Sequence, residues 1–458
     1  MDLSLASIFL GLFLLMFLAY KGHSIIWVAP FCAAIVAFLS GLDVLETYLV
    51  AYMQGTANFL RDWFPAFFLG AVYGKVMDAT GSARSLANVI VRFIGPKFAV
   101  AAVVLPCMAM TYGGISLFVV VFVIYPMGYA IYREANLPRT LLPGAIAFGA
   151  FGITMTSVPG TPQIQNLIPV RFYGPEAVAA AIEQLIAQGI NIPVQFAGSS
   201  TMAAIPMSLA GIALMAIPGY LYLTWRARRC QAAGLGFVED PKFVEQAQAE
   251  QPSWHWLSAL LPILVVVLLL NAFEQHIVIA LLGGILVCCA MNLHQAKVLL
   301  PAITAGANGS LIAIMNTSAA VGFGWVVRAV PGFAVLSALM MDMPGNLLVS
   351  QAVAVNVLAG ATGSASGGMG IALEALGPTF LTQALETGMN PEWLHRIASI
   401  ASGGLDTLPH NGAVLTLLAV SNCTHKESYF DIGVANLLIP TLSSFVLAFI
   451  WGSFIIYM

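Results

Sequence analysis

The stretch whose residue types are best suited to binding a ligand is Gly360–Gly370, which reads GATGSASGGMG. Glycine, serine and threonine at this density normally form a surface loop, yet an apolar run, Leu347–Leu358, precedes the stretch and another follows it. Irregular backbone at membrane depth occurs only where protein buries it or where it lines a wet cavity. Unwound backbone presents free N–H and C=O groups, and small side chains let a ligand approach closely. The stretch therefore predicts the broken helix of a binding site, and a small-residue helix contact is the alternative interpretation.

The composition indicates the class of protein that must position this stretch. Of 458 residues, 60% are hydrophobic and only 8% are charged, and the mean hydropathy is +0.90. Soluble proteins carry roughly 25% charged residues, so we expect an all-α polytopic membrane protein with about 12 transmembrane helices. The net charge of −3 argues against a nucleic-acid partner. Six scattered cysteines have neither metal-site nor redox spacing, and we expect no cofactor or metal.

One hydrophilic stretch divides the chain into two apolar parts. It begins with Arg226, Arg228 and Arg229 directly after an apolar run, and arginine at a membrane boundary indicates the cytoplasmic side. We therefore predict a first transmembrane half over residues 1–224, a cytoplasmic linker over 225–255, and a second transmembrane half over 256–458.

The two halves share landmarks at one spacing. Three pairs of glycine or proline residues lie 250 positions apart in the same order: Gly74 and Gly324, Gly113 and Gly363, and Pro159 and Pro409. Paired interruptions at corresponding positions of two halves mark the substrate site of many transporters. The spacing therefore predicts an internal repeat whose breaks meet at the binding site, although it does not distinguish parallel from inverted repeats.

The residues at these breaks are the candidate substrate ligands, because an anion must exchange its water for fixed donors such as helix N-termini and hydroxyls. At the glycine breaks the candidates are Thr111, Tyr112, Gly113, Gly114 and Ser116, with Thr362, Gly363, Ser364 and Ser366 in the second half. At the proline breaks they are Thr161, Gln163, Thr407 and Asn411. Each hydroxyl could instead bond back to its own helix.

Proton coupling requires a group that changes protonation during transport. Histidine, with an unperturbed pKa near ~6.5, suits this exchange, and His410 follows Pro409 where the first half has Gly160. The further candidates are the acidic residues near the breaks and spans, Asp78, Glu374 and Asp406. Asp78 also stands three positions after Lys75, so the two could form a helical ion pair. Sodium coupling is the alternative, since carbonyls beside Ser and Thr hold Na⁺ equally well.

Three segments carry a family resemblance: Gly74–Gly95, Ala361–Gly377 and Leu408–Ile432. They resemble the gluconate permease family of the wider ion-transporter superfamily, and the likeness extends from about residue 64 to the end. It implies inverted repeats with broken helices and proton-coupled uptake of small hydroxy-carboxylates at the inner membrane.

Two positions depart from the family's gluconate carriers. Residues 114–116 read Gly-Ile-Ser where those carriers have an acidic residue, and residues 160–161 read Gly-Thr where they have a histidine. A smaller acid such as 3-hydroxybutyrate, which needs fewer polar contacts than gluconate, fits the more apolar break.

Two other functional classes are less compatible with the sequence. A channel normally uses symmetric rings from several subunits, whereas this chain has its own two-fold repeat. An intramembrane enzyme would need a catalytic motif, and no HExxH, GxSxG or phosphate-binding loop is present. We therefore expect a secondary transporter rather than an enzyme, whose partners are a small organic anion, protons, the bilayer and, in a homodimer, a second copy of the chain.

Overall fold

The computed structural model describes residues 3–21, 23–240, 257–341, 346–409 and 411–455. The described part is all-helical and contains no strand, as the composition predicts. The helices of the first half are α1 Leu3–Tyr20, α2 Ile25–Leu39, α3 Val44–Thr47, α4 Met53–Ala79, α5 Ser82–Ile94, α6 Ala99–Tyr112, α7 Leu117–Glu134, α8 Leu142–Ala147, α9 Thr154–Thr156, α10 Ile164–Tyr173, α11 Pro175–Ala187 and α12 Ile205–Ala232.

The second half contains a similar series. Its helices are α13 Leu257–Asn271, α14 Ile277–Met291, α15 Ala296–Ala329, α16 Gly332–Met341, α17 Leu347–Thr362, α18 Ala365–Thr387, α19 Pro391–Ser402, α20 Gly412–Val420, α21 His425–Ile432 and α22 Ile439–Ile450. Several connections are π-helical turns that keep the flanking helices continuous, at Tyr48–Tyr52, Phe148–Ile153, Gly433–Leu438 and Trp451–Ile455. Short 3₁₀ turns occupy Pro96–Phe98, Arg139–Leu141, Leu293–Gln295 and Leu405–Thr407.

Apolar length qualifies many of these helices as membrane elements. Among the described residues, three helical stretches are long and apolar enough to cross a bilayer unaided: Ile205–Ala232, Leu293–Ala329 and His425–Ser453. Six shorter apolar helices accompany them, including α1, α2, α6, α13, α14 and α17. Short membrane helices are typical of transporters in which the chain is broken at the binding site.

The element boundaries repeat at the spacing found in the sequence. Helices α4 and α15 end at Ala79 and Ala329, and α6 and α17 end at Tyr112 and Thr362, each pair 250 positions apart. Helices α4 and α15 also form the largest helix contact of the described chain, while α2 packs on α15 and α14 packs on α4. The contacts of one half are thus repeated, with partners exchanged, in the other.

Local sequence explains where the second-half helices begin and end. Helix α18 ends at Gly388, whose φ of +74° is accessible to glycine without strain. The next helix, α19, starts with Asn390, whose side chain accepts a hydrogen bond from the backbone N–H of Glu392, followed by Pro391 at the first helical position. Helix α17 is capped by Asn346 in the same way, through the N–H of Val349.

Two predicted boundaries differ from the structure. The predicted linker begins at residue 225, but α12 continues through the three arginines to Ala232, because arginine is a good helix former. Residues 241–256 of that linker lie outside the described residues. The glycine-rich stretch is also less irregular than its composition suggests, because only Gly363 and Ser364 interrupt the helices α17 and α18.

Candidate functional site

A cavity of about 540 Å³ lies where the breaks of both halves meet. The four helices that follow the breaks all begin at its wall, namely α7, α10, α18 and α20, through Ser116, Gln163, Ser364 and Asn411. Residues from the middle of α4 and α15 form the facing wall, and Ile25 and Ile277 line it at the starts of α2 and α14. The predicted convergence of the glycine and proline breaks is therefore present in the structure.

The electrostatic character of this cavity comes mainly from helix ends. No described lining residue is a lysine or arginine. The first-turn N–H groups of each helix have no intrahelical partner and carry the positive end of the helix dipole. Side chains cap α18 and α20 partly, whereas α7 and α10 have no side-chain cap. The first-half helices therefore present the most available donors to an anion.

The two glycine breaks have backbone conformations that favour glycine. Gly114 has φ +84° and Gly363 has φ +61°, both in the left-handed region. At Gly114 a Cβ atom would lie only 3.1 Å from Cγ of Pro162, which belongs to the proline break of the same half. The turn thus depends on the absence of a side chain.

A carboxamide holds each glycine break to the proline break of its own half. Gln163 donates from Nε2 to the carbonyl oxygen of Thr111 at 2.7 Å, and Asn411 donates from Nδ2 to the carbonyl oxygen of Gly363 at 3.0 Å. Gln163 and Asn411 each stand at the N-cap of the helix after the proline break. The carbonyl oxygen of Thr111 also accepts from the N–H of Gly114 at 3.1 Å, so Gln163 adds a second bond there, and both carboxamides stabilise the unwound backbone.

Two serines occupy equivalent places at the glycine breaks. Ser116 and Ser366 lie 250 positions apart, and both line the cavity. The hydroxyl of Ser116 makes no side-chain hydrogen bond with any described residue, and that of Ser366 has only a 3.5 Å contact with the hydroxyl of Ser364. Both hydroxyls are consequently free to bind a ligand.

Asp406 is the acidic residue among the described lining residues. Its side chain is buried and accepts a hydrogen bond from Oγ1 of Thr407 at 3.0 Å. Within the described part of the chain no lysine, arginine or histidine lies within 4.0 Å of its carboxylate. An unpaired carboxylate inside a membrane protein is costly and is usually functional.

Comparison with known proteins assigns the family. The family model described as GntP family permease matches residues 1–280. The protein described as uncharacterized transporter YxjC of Bacillus subtilis (strain 168) is 37% identical over 493 aligned positions, which cover 98% of this chain and 99% of YxjC. This chain belongs to the GntP permease family. The permease is therefore a membrane transporter, and the resemblance stated from the sequence segments is confirmed.

Solved transporter structures share the fold of this GntP family member. The Alcanivorax borkumensis YdaH transporter, whose report describes an unusual topology, aligns with a TM-score of 0.55, 15% identity and coverage of 89% of both chains. Neisseria gonorrhoeae MtrF, whose report describes a class of antimetabolite efflux pumps, aligns with a TM-score of 0.52 and 12% identity over 90% of this chain and 85% of MtrF. At this identity the likeness extends to the fold alone.

The permease's cavity contains most of the predicted substrate ligands. Those that line it are Gly114, Ser116, Gln163, Thr362, Gly363, Ser364, Ser366 and Asn411. Those that do not line it are Thr111, Tyr112, Gly113, Thr161 and Thr407. Thr111 nevertheless contributes the carbonyl that Gln163 binds, and a Cβ at Gly113 would meet the side chain of Ile263 rather than the cavity.

Some predicted hydroxyls already have partners. Oγ1 of Thr362 donates within its own helix to the carbonyl oxygen of Leu358 at 3.0 Å, and Oγ1 of Thr407 donates to Asp406. The bond of Thr362 is of the kind expected for a back-bonded helix hydroxyl, whereas that of Thr407 goes to the neighbouring carboxylate. Thr362 is therefore a wall residue whose donor is engaged, unlike Ser116 and Ser366.

The coupling candidates separate into one that lines the cavity and two that do not. Asp406 lines it, whereas Glu374 and Asp78 lie elsewhere. Glu374 is ion-paired with Arg171, Oε1 to Nη2 at 3.5 Å, and Arg171 in turn contacts Asp62 at 2.7 Å, so the acid has a structural partner.

Two further coupling expectations have different outcomes. Lys75 and Asp78, both described residues, make no ion pair within 4.0 Å, so the helical pair that their spacing allows does not form. His410 lies outside the described residues, and its role stays a prediction.

A buried cluster of Arg396 and His395 is absent from the sequence-based candidates. Arg396 on α19 is fully buried and donates to the carbonyl oxygens of Thr156 at 3.3 Å and Ala203 at 3.1 Å. Next to it, His395 contacts Ser199 at 2.7 Å through Nδ1 and Asn166 at 3.1 Å through Nε2. Because Thr156 is the last residue before the first proline break, the cluster fixes that break from the other half of the molecule. In the sequence Arg396 is an arginine in a short amphipathic stretch, and such an arginine is typical of a membrane boundary.

Proposed function

We propose that this permease is a secondary active symporter that takes up a small hydroxy-carboxylate together with protons. The observation that supports this most strongly is the convergence of four helix N-termini on one cavity that also contains a buried carboxylate. Helix N-termini bind anions without a formal positive charge, and their strength suits a ligand that must leave again. Family membership supports transport, and the lining chemistry supports an organic anion as the substrate.

The substrate carboxylate would lie between the two glycine breaks. Ser116 and Ser366 offer hydroxyl donors from opposite halves, and the uncapped first turns of α7 and α10 offer backbone N–H groups. A carboxylate accepts up to about four hydrogen bonds, which matches donors arriving from two sides. An anion held at the interface of two structural repeats is accessible from either side when one repeat moves against the other.

Asp406 is the group to which we assign coupling. Its carboxylate and the substrate carboxylate share one cavity, and two anions in a weakly solvated site repel each other. A cation that neutralises Asp406 therefore favours substrate binding, which links the two fluxes. Its equivalent position in the first half is Thr156, so coupling would belong to the second half alone.

A proton and a sodium ion could both neutralise Asp406. Sodium needs several oxygen ligands around one point, whereas a proton needs only one acceptor, and Asp406 supplies it beside Oγ1 of Thr407. We favour the proton, because Asp406 can take it up without any further ligand. His410 remains a second proton carrier in this proposal.

Uptake into proteoliposomes tests the proposal. Purified permease is reconstituted, and labelled 3-hydroxybutyrate and gluconate are supplied with a pH gradient, a sodium gradient or neither. We expect saturable accumulation that follows the pH gradient and is independent of sodium. Accumulation driven by sodium alone would show that sodium, not the proton, is the coupling ion. Passive equilibration without accumulation would indicate a channel. The absence of uptake of any organic acid would overturn the proposal.

The inverted arrangement of the repeats, the location in the inner membrane and a homodimeric state belong to the same proposal. The exchanged packing of α2 on α15 and α14 on α4 supports a two-fold relation between the halves. The apolar exterior supports a location in a bilayer, with exposed side chains such as Phe38 and Leu286 facing lipid.

A further inference from the structure

Two carboxamide side chains in the cavity wall are left without partners. Gln165 stands in the first turn of α10 and is 5% exposed, and its Oε1 atom has no hydrogen-bond partner among the described residues. Asn316 stands in the middle of α15, and its Oδ1 atom is likewise buried without a partner. Neither side chain donates a hydrogen bond to a described residue. Buried polar groups in native proteins normally have partners, so two unpartnered amides in one ligand-sized cavity indicate that a ligand provides them.

These two amides have no polar equivalent in the other half of the chain. The residue 250 positions after Gln165 is Leu415, and the residue 250 positions before Asn316 is Ala66, and both also line the cavity. In contrast, Ser116 and Ser366 are the same residue in both halves. The serine pair of the anion site is thus duplicated, whereas Gln165 and Asn316 each occur once, opposite an apolar equivalent.

We propose that Gln165 and Asn316 are specificity-determining residues that bind the hydroxyl group of the substrate. The inference rests on the proposed function, because it assigns the neutral part of a ligand whose carboxylate binds at the glycine breaks. The apolar equivalents, Leu415 and Ala66, would face the hydrocarbon part of the same molecule. A substrate with a carboxylate, a hydroxyl and a short alkyl group therefore has one preferred orientation in a cavity whose backbone is nearly two-fold.

The chemistry of the amide makes the preference for a substrate with a hydroxyl group strong. A carboxamide both donates and accepts, so it can pair with a hydroxyl in either sense. A ligand of the same shape without the hydroxyl leaves buried amides unpaired, and sites built to bind a hydroxyl reject such analogues strongly. An apolar pocket at the same place would discriminate weakly, since a hydroxyl adds little volume.

Matched ligands and matched variants test the assignment. Binding of 3-hydroxybutyrate and butyrate, and of gluconate and hexanoate, is measured by titration calorimetry on the purified full-length permease. The variants are Gln165→Leu and Asn316→Ala, which install the residue type of the other half. The control is Gln383→Leu, which removes an equally unpartnered carboxamide that does not line the cavity. Thermal unfolding of every variant identifies those that fail to fold, and Gln165→Met and Asn316→Leu, which keep a side chain of similar size without the amide, replace them in the comparison.

We expect the wild type to bind at least one hydroxy acid tenfold or more tightly than its deoxy counterpart. Gln165→Leu and Asn316→Ala should reduce that ratio toward one, chiefly by weakening binding of the hydroxy acid, and Gln383→Leu should preserve the ratio. The assignment would be overturned if the wild type bound both members of each pair equally, or if the ratio were unchanged in both folded variants. Neither result would contradict the proposed anion site. No binding of any of the four acids would overturn the proposed function and this inference with it.

Discussion

Individual hydroxyl groups in the cavity differ in how many partners the protein already gives them. The Ser116 and Ser366 hydroxyls are essentially free, whereas Thr362 donates to a carbonyl in its own helix. We therefore predict that Ser116→Ala and Ser366→Ala each weaken substrate binding by about 1–3 kcal/mol, the cost of leaving a buried carboxylate oxygen without a donor.

The matched control for these serines is Thr362→Val, which removes a hydroxyl of the same cavity that is not available to the substrate. It should change the apparent affinity by less than either serine variant, as measured by concentration-dependent uptake in proteoliposomes. Wild-type affinity in both serine variants would contradict the placement of the carboxylate between the two breaks.

Coupling can be tested at one residue. Asp406→Asn keeps the size and the acceptor of the side chain but cannot exchange a proton, so we predict that substrate counterflow continues while gradient-driven accumulation is lost. Glu374→Gln is the control, because Glu374 is ion-paired with Arg171 and lies outside the cavity. Accumulation by Asp406→Asn at the wild-type level would move coupling to His410 or to another group.

The sequence identified the residues at the breaks more readily than those of the facing wall. Gly363, Ser366 and Asn411 stand out because small and polar residues interrupt long apolar runs. Gln165 and Asn316 carry no such signal, since each is a polar residue inside a helix and its position in the cavity depends on packing. Arg396 was missed for the same reason, because burial of its guanidinium follows from the contact of α19 with the first half.

The interruptions between helices depend on glycine at positions with positive φ. Gly114→Ala places a Cβ at φ +84° and 3.1 Å from Pro162, so we predict a loss of about 1–2 kcal/mol in the free energy of unfolding. Gly309→Ala on α15 meets no atom within 4 Å and should be neutral or slightly stabilising. Thermal unfolding in detergent compares the two, and equal stability of both variants would show that the first break does not require glycine.

Helix α19 is held to the first half by Arg396. Arg396→Met removes the charged donor from the carbonyl oxygens of Thr156 and Ala203, which keep neutral bonds from Oγ of Ser399 at 2.7 Å and Oγ of Ser208 at 3.1 Å. We predict a destabilisation of about 1–3 kcal/mol from the loss of these buried charge-assisted hydrogen bonds, with partial recovery in Arg396→Lys, which lacks the planar fork. Unfolding midpoints report this effect, and a methionine variant as stable as the wild type would argue against the anchoring role.

Helix limits were predictable wherever apolar runs end at polar or glycine residues. The sequence shows uncharged apolar runs over Leu3–Tyr20 and Ile277–Met291, and these are α1 and α14 without change. In contrast, α15 begins at Ala296 and continues through Pro301, a residue that usually ends or kinks a helix. The π-helical turns at Phe148–Ile153 and Gly433–Leu438 have no sequence signature of their own.

Across the whole molecule, the repeat explains why two distant segments form one site. Equivalent breaks meet because the halves pack with exchanged partners, α2 on α15 and α14 on α4. The spacing of 250 positions was readable from glycine and proline alone, whereas the relative direction of the halves depends on the full packing. The differences between the halves, at Asp406, Gln165 and Asn316, are where we place coupling and specificity on a shared scaffold.

The central claim is that the substrate's carboxylate binds between the two glycine breaks. The most direct test is a cryo-electron microscopy structure of the permease in lipid nanodiscs with saturating 3-hydroxybutyrate, compared with the same sample without it. We predict ligand density within hydrogen-bond distance of Ser116 and Ser366, with Gly114 and Gly363 in unwound backbone. Density at another place, or both breaks in continuous helix, would contradict it.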